Sequence, residues 1–241
     1  MSGAARAPDF RLHSARGTAV RAFLARRGQI LVDLDAQGRD DLALIRETRA
    51  ATPLLMRDPA ALTILTWARS AQRLGGELAE AGVFMGGSAR LICAAKGAAP
   101  LHLFDVFETL HRDAPLSPGE LAVRAYFEGV HASLERVRAL LAPYPEVHFH
   151  PGLFPGSAEA VADRRFSFVH LDLDLAEGTA EALEFFYPRL LAGGVLIGDD
   201  YNLAPVRETF AAFFAGRSDA YAVLPWGQVV VVKSGLSSQR P

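Results

Sequence analysis

Cysteine is almost absent from this sequence of 241 residues. Cys93 is the only one, so no intrachain disulfide can form, which suits a reducing compartment. It sits in the apolar stretch 91–95, where a packed, inert thiol is expected. Lysine is nearly as scarce: Lys96 and Lys233 are the only two, and arginine supplies the remaining bases. Twenty-seven acids against 25 bases leave a formal charge of -2. Such a balance offers no electrostatic surface for nucleic acid or anionic lipid. No run of about 18 apolar residues occurs, so no membrane span is expected. The first 17 residues are broken by Arg6, Asp9, Arg11 and Arg16 and lack the apolar core of a secretory leader. These absences set the expectation of a cytoplasmic location.

The chain does have hydrophobic residues in plenty, 50% of the total, enough for one large α/β core. Residues 1–75 read as a helical extension covering a main domain of residues 76–241, and the Ala- and Arg-rich first 20 residues as loosely held. Helices are expected over 40–52 and 58–74. The second opens Arg57-Asp58-Pro59, with Asp58 as N-cap and proline at the first helical position. A short strand is expected over 29–35. From Glu77 onward strands alternate with helices. The strands are expected over 79–84, 101–105, 147–150, 166–173 and 194–199. The helices are expected over 88–96, 118–141, 157–163, 179–190 and 205–215. This alternation implies a mostly parallel sheet covered by helices on both faces. Segments 220–224 and 228–233 flank Pro225-Trp226-Gly227 and read as a closing antiparallel hairpin, for seven strands in all.

In an open parallel sheet, ligands bind beyond the carboxyl ends of the strands. After the first strand comes Gly82-Val83-Phe84-Met85-Gly86-Gly87-Ser88. Its glycines either let backbone approach a ligand or simply make a tight turn. The spacing does not match the dinucleotide fingerprint, which disfavours a nicotinamide oxidoreductase. The second strand ends at Asp105, an acid that can accept hydrogen bonds from a ribose or cap a turn. After the third strand, Gly152 and Phe154 sit in a Pro/Gly loop, where Phe154 either lines an adenine pocket or fills core.

The fourth strand carries the densest signal. Period-2 alternation sets His170, Asp172 and Asp174 on one side and Val169, Leu171 and Leu173 on the other. The fifth strand ends in Asp199-Asp200. If these strands are neighbours, Asp172, Asp199 and Asp200 converge, and like charges so close raise one another's pKa unless a cation intervenes. Too few basic residues lie nearby to neutralise such a cluster, Arg207 being the closest in sequence downstream. A hard divalent ion, Mg²⁺ ahead of Mn²⁺ or Ca²⁺, answers that need, unless one acid caps a helix and the others are solvated. His148 and His150 share a strand face without an evident third ligand and read as structural or exposed. His170 reads as a hydrogen-bonded core residue rather than a base, and His111 lies in a loop from which it can reach a substrate.

Taken in order, these motifs resemble the macrocin O-methyltransferase family. The residues that carry the resemblance are Glu80-Ala81-Gly82 through Gly86-Gly87-Ser88, Phe104-Asp105-Val106-Phe107-Glu108, Leu171-Asp172-Leu173-Asp174, and Gly193-Gly194 through Asp199-Asp200-Tyr201. They span about residues 58–233. The resemblance implies a Rossmann-like class I methyltransferase fold and transfer of a methyl group from S-adenosylmethionine to a sugar or phenolic hydroxyl of a natural product. It implies that Glu80, Gly82, Gly86, Ser88, Asp105, Gly152 and Phe154 bind the cofactor, with the Gly82 loop at its methionine part and Asp105 at its ribose. Asp172, Asp199 and Asp200 match the Mg²⁺ ligands, and Asp172 doubles as general base. Self-association is implied as well. The chain departs from the family pattern at Ala176 and Gly178, where tyrosine and serine are usual, while Glu177 and Thr179 remain. The N-terminal helices and the loop 111–120 are lid candidates. Two other readings stand beside this one: a metal-independent methyltransferase, and a binding protein that keeps the cofactor fold without turnover.

Overall fold

The computed structural model describes residues 15–107 and 132–235. By its contacts the chain forms two units, residues 1–39 and 40–241. Helix α3 (Asp58–Ala71) buries Ala61, Ile64, Leu65 and Ala68 in the same core as the sheet, so it is part of the larger unit.

In the first unit, helix α1 (Ala15–Ala25) is followed by residues without regular structure. The expected strand over 29–35 does not form. Ile30 and Val32 are exposed, and no described segment pairs with them. Helix α2 (Ala36–Ala51) begins where Asp35 Oδ1 accepts the Gly38 N–H at 2.7 Å, and it runs on into the second unit.

In the second unit, Arg57, not Asp58, occupies the N-cap of α3. Asp58 lies inside the first turn, where an acid suits the helix dipole, and it pairs with Arg49 of α2. After a 3₁₀ turn (Gln72–Leu74) come β1 (Glu77–Ala81), α4 (Gly87–Ala95), β2 (Leu101–Asp105), α5 (Leu134–Leu141) and β3 (Val147–Pro151). A 3₁₀ turn (Gly156–Val161) leads to β4 (Phe166–Leu171), α6 (Ala176–Arg189), β5 (Leu190–Gly198), α7 (Ala204–Phe214), β6 (Ala220–Val223) and β7 (Val229–Val232). The first part of the helix expected over 118–141 lies outside the described residues.

The seven strands lie in the order β3-β2-β1-β4-β5-β7-β6. The first five are parallel, and β7 and β6 run antiparallel at one edge. This is the fold expected from the alternation of strands and helices. Inward alternation sends Leu78, Leu101, Leu103, Phe168 and Ile197 against α3, α4 and α5. It sends Ala79, Ala81, Phe104, Val169 and Leu196 against α6 and α7. Cys93 is buried, and burial pushes its thiol up to about 12, so it stays an unreactive packing group.

Both lysines serve the scaffold. Lys96 is fully buried, and its ammonium donates to the carbonyls of Ala99 and Pro145, each at 2.7 Å. Lys233 likewise donates to the carbonyls of Tyr187 and Leu190 where α6 meets β5. Among the described residues, no helix is long and apolar enough to cross a membrane.

If α3 is core rather than cover, Ile64→Ala will destabilise the protein by about 2–5 kcal/mol, read from the urea midpoint at unchanged slope. A loss below about 0.5 kcal/mol, ordinary for a surface site, would place α3 outside the cooperative core.

Candidate active site at the strand ends

Sheet order departs from chain order between β3 and β4, so β1 lies between β2 and β4. The carboxyl ends of β1 and β4 therefore meet at the point where such sheets take ligands. Gly82 closes β1 there with a φ of +88°, and a Cβ on it would lie 1.8 Å from the Asp172 carbonyl oxygen. The glycine therefore lets β1 and β4 end side by side. The following loop is held from behind. Thr52 Oγ1 donates to the Met85 carbonyl at 2.8 Å, and a Cβ on Gly87 would lie 2.5 Å from the Pro53 carbonyl oxygen. Gly86 is the N-cap of α4, and Ser88 is buried in its first turn.

Asp105, the ribose candidate, is committed to this loop. Its Oδ2 accepts the N–H groups of Val83 and Phe84 at 2.7 and 2.8 Å, and its Oδ1 accepts that of Phe107 at 2.8 Å. A carboxylate has about four acceptor sites, so one remains, on Oδ1. Beside it, Gly152 donates its N–H to the Asp105 carbonyl at 3.0 Å. Phe154 packs in an aromatic group with Phe104, Phe185 and Phe186, at ring separations of 5.4–5.8 Å.

Glu80, grouped with the cofactor residues by resemblance, lies wholly beneath the rim. One of its oxygens accepts from His170 Nδ1 at 2.8 Å, while Oε2 is buried without a partner among the described residues. On the opposite side of the ring, His170 Nε2 lies 3.4 Å from Asp199 Oδ2, which also accepts from Gln228 Nε2 at 3.2 Å. Burial works against a charge on His170. The carboxylates of Asp199 and Glu80 outweigh it and push the imidazole up to about 10. The sequence reading counts too few bases near the acids because it takes His170 as an uncharged core residue; the structure places its imidazole among them, favouring the charged form.

The aspartates are placed by the ladder. Asp172 N–H continues β4 onto the Ala81 carbonyl at 2.9 Å, and Asp199 N–H continues β5 onto the Leu171 carbonyl at 2.8 Å. Two overlapping sets result, His170 with Asp172 and Asp199, and Asp172 with Asp174 and Asp200; within each, the ligand atoms lie within 4.8 Å of one another. Asp174 is a member the sequence reading leaves out. The strand ends at Leu171, and Asp174 turns back with a φ of +59°, so simple alternation does not describe its direction. Burial, then the charges of Asp199 and Asp200, hold Asp172 well above the usual carboxylate range. Burial and Asp200 push Asp174 up to about 7. Asp200 Oδ2 is buried without a hydrogen-bond partner among the described residues. An orphaned carboxylate oxygen beside three further carboxyl groups suits a hard divalent cation, so these residues fit Mg²⁺.

Residues 63–220 match the family described as Macrocin-O-methyltransferase (TylF). The chain belongs to the macrocin O-methyltransferase family. It is 33% identical over 145 residues to 8-demethyl-8-(2,3-dimethoxy-alpha-L-rhamnosyl)-tetracenomycin-C 4'-O-methyltransferase of Streptomyces olivaceus. That match covers 55% of this chain and 56% of the relative, so the chain spans little more than half the length of the curated protein it matches. Among solved structures, it is similar to the O-methyltransferase NovP, with a TM-score of 0.60 and 22% identity over 73% of this chain and 79% of NovP. It is also similar to the calicheamicin methyltransferase CalS11, with a TM-score of 0.54 and 16% identity over 96% of this chain and 99% of CalS11. Both likenesses show the class I fold.

Within this macrocin O-methyltransferase family member, the departures at Ala176 and Gly178 fall on the first turn of α6, directly after the acids. A Cβ on Gly178 would meet only Leu173, at an ordinary 3.7 Å, so packing there does not demand glycine. Thr179 is buried, and its hydroxyl donates to the Leu175 carbonyl. His111 and the lid loop 111–120 lie outside the described residues. His148 and His150 do have a neighbour: His102 of β2 stacks against both, at ring separations of 5.0 and 5.2 Å. Burial, reinforced by the other two imidazoles, pushes His150 down to about 4.

The raised carboxyls work against stability. For Asp174, the proton is held more tightly in the folded state than in the unfolded one. Stability is therefore present in full below the unfolded pKa, near 4, and falls as pH rises to about 7. Asp174→Asn will raise the thermal midpoint in EDTA, with a gain that grows from pH 4 to pH 7 and then levels. Melting curves across that range check it, and a gain independent of pH would contradict the assignment.

Proposed function

We propose that this chain is an S-adenosylmethionine-dependent O-methyltransferase acting, with Mg²⁺, on a sugar hydroxyl of a small natural product. The observation that carries the reading is the convergence of Asp172, Asp199 and Asp200 with the Gly82–Ser88 loop on one rim of a class I sheet. The sugar as acceptor is supported by the rhamnosyl-tetracenomycin relative from Streptomyces olivaceus.

In this reading the loop from Gly82 to Ser88 receives the methionine part of the cofactor. The last acceptor site of Asp105 takes one ribose hydroxyl, and Gly152 and Phe154 border the adenine. Glu80 acts from below by fixing His170. Asp172, Asp199 and Asp200 hold the metal, which when bound lowers the pKa of the acceptor hydroxyl as a Lewis acid. Asp172 takes the hydroxyl proton. The acceptor oxygen forms its bond to the methyl carbon as the carbon–sulfur bond breaks, and the sulfonium leaves as a neutral thioether. Alignment is the chief contribution of such a site, worth on the order of 7–11 kcal/mol for well-oriented reactants.

One observation favours a metal-independent variant of the same chemistry. His170 already brings a positive charge into the acidic group, which reduces the need for a second cation.

Calorimetry with S-adenosylhomocysteine and with NAD will show binding of the first alone. Methyl transfer to a rhamnosylated polyketide will depend on Mg²⁺, and Asp172→Asn will lower kcat by about 10²–10⁴. Binding of NAD without S-adenosylhomocysteine would overturn the reading. Full activity in EDTA, unchanged in Asp199→Asn, would select the metal-independent form.

A further inference from the structure

A second group of titratable side chains stands apart from the acidic rim. His102, the second residue of β2, is in direct register with His148 of β3, and His150 follows two residues later on the same face. This face is the one covered by the 3₁₀ turn after β3, away from α3 and α4. A recess of about 320 Å³ opens there, lined in part by these three histidines, Glu77, Val161 and Arg164. Glu80 and His170, by contrast, sit at positions whose parity places them on the opposite face.

The hydrogen bonds determine which nitrogens are available. Glu77 Oε2 lies 2.7 Å from His102 Nε2, and its other oxygen is held by Arg164 at 3.1 Å. A carboxylate accepts, so His102 carries its proton on Nε2 and presents a bare lone pair at Nδ1. That lone pair faces His150 Nε2 at 2.9 Å. Two imidazole nitrogens bound to one tetrahedral Zn²⁺ at 2.0–2.1 Å would stand roughly 3.3 Å apart, only a few tenths of an ångström wider than found here. The Glu77–His102 pair is also the arrangement that orients metal-bound imidazoles, with a carboxylate on the far ring nitrogen. His148 stacks over His102 and is 45% exposed, with its Nε2 3.5 Å from Glu146 on the outer side. It can turn inward without disturbing the core.

We propose that His102, His148 and His150 form a binding site for a borderline transition-metal ion of the Zn²⁺ class, separate from the acidic rim. The ion sits between His102 Nδ1 and His150 Nε2, His148 supplies the third nitrogen, and the recess leaves the fourth position to water. The proton that His150 holds on Nε2 moves to its own Nδ1, so no net charge is released. Three imidazoles select such an ion over Mg²⁺, which prefers oxygen. Bound there, it links the edge strand β3 to β2.

Co²⁺ titration of the whole protein in excess Mg²⁺ tests this, since Mg²⁺ occupies carboxylates and leaves imidazoles free. We expect one equivalent of Co²⁺ with the intense visible absorption of a tetrahedral nitrogen site, binding at least tenfold more weakly in both His148→Ala and His150→Ala. The exposed position of His148 protects that variant from misfolding, and circular dichroism checks the other. An unchanged affinity in either variant overturns the three-histidine set. A weak octahedral spectrum in the wild-type protein overturns the site altogether. Neither result bears on methyl transfer, because none of the three histidines belongs to the proposed active site.

Discussion

The coexistence of four carboxylates at the ends of β4 and β5 depends on His170. Its ring reaches Glu80 on β1 from one nitrogen and Asp199 beyond β5 from the other. A single imidazolium thereby links three adjacent strands at the level where the ladders stop. Without a proton on both nitrogens, Glu80 and Asp199 would face a ring that could donate to only one of them. Leaving a buried carboxylate without a donor costs several kcal/mol. The imidazole thus ties Glu80 to Asp199, while the backbone ladder places Asp172 and Asp199 above it.

The glycine loop is organised on a different basis. Sterics bring Gly82 against Asp172 and Gly87 against Pro53, and the Asp105 carboxylate gathers the amides between β1 and α4. Thr52, just past α2, supports the loop, which ties the segment before α3 to the geometry of the rim. The helices before β1 therefore contribute to the placement of the site as well as to the core.

The order of strands and helices after Glu77 was legible because burial on both faces of a parallel sheet forces apolar strands to alternate with amphipathic helices. Strand ends were less legible. Val83 and Phe84 look like strand by composition, yet the close approach at Gly82 turns the chain away before them. The strand expected over 29–35 failed because β-propensity cannot supply a pairing partner. Asp172, Asp199 and Asp200 were readable from position at strand ends. Asp174, set beside Asp172 by the alternation, was left out of the ligand set; a turn with left-handed backbone, not strand geometry, brings it there. The charge on His170 was hidden for another reason: Asp199 and Glu80, which favour it, lie 29 and 90 residues away in sequence. His102 escaped notice in the same way, because register across β2 and β3 cannot be derived from spacing along either.

Asp105 shows what such a latch means for recognition. Three of its acceptor sites are spent on the protein's own amides, so the bend it secures is rigid before any guest arrives. Little conformational entropy remains to be lost there on association, and affinity gained in this way needs no additional contact. The same economy narrows the choice of guest. A molecule that must take both oxygens of this carboxylate would have to unfasten the bend first, whereas one satisfied with a single hydroxyl contact would find it ready-made.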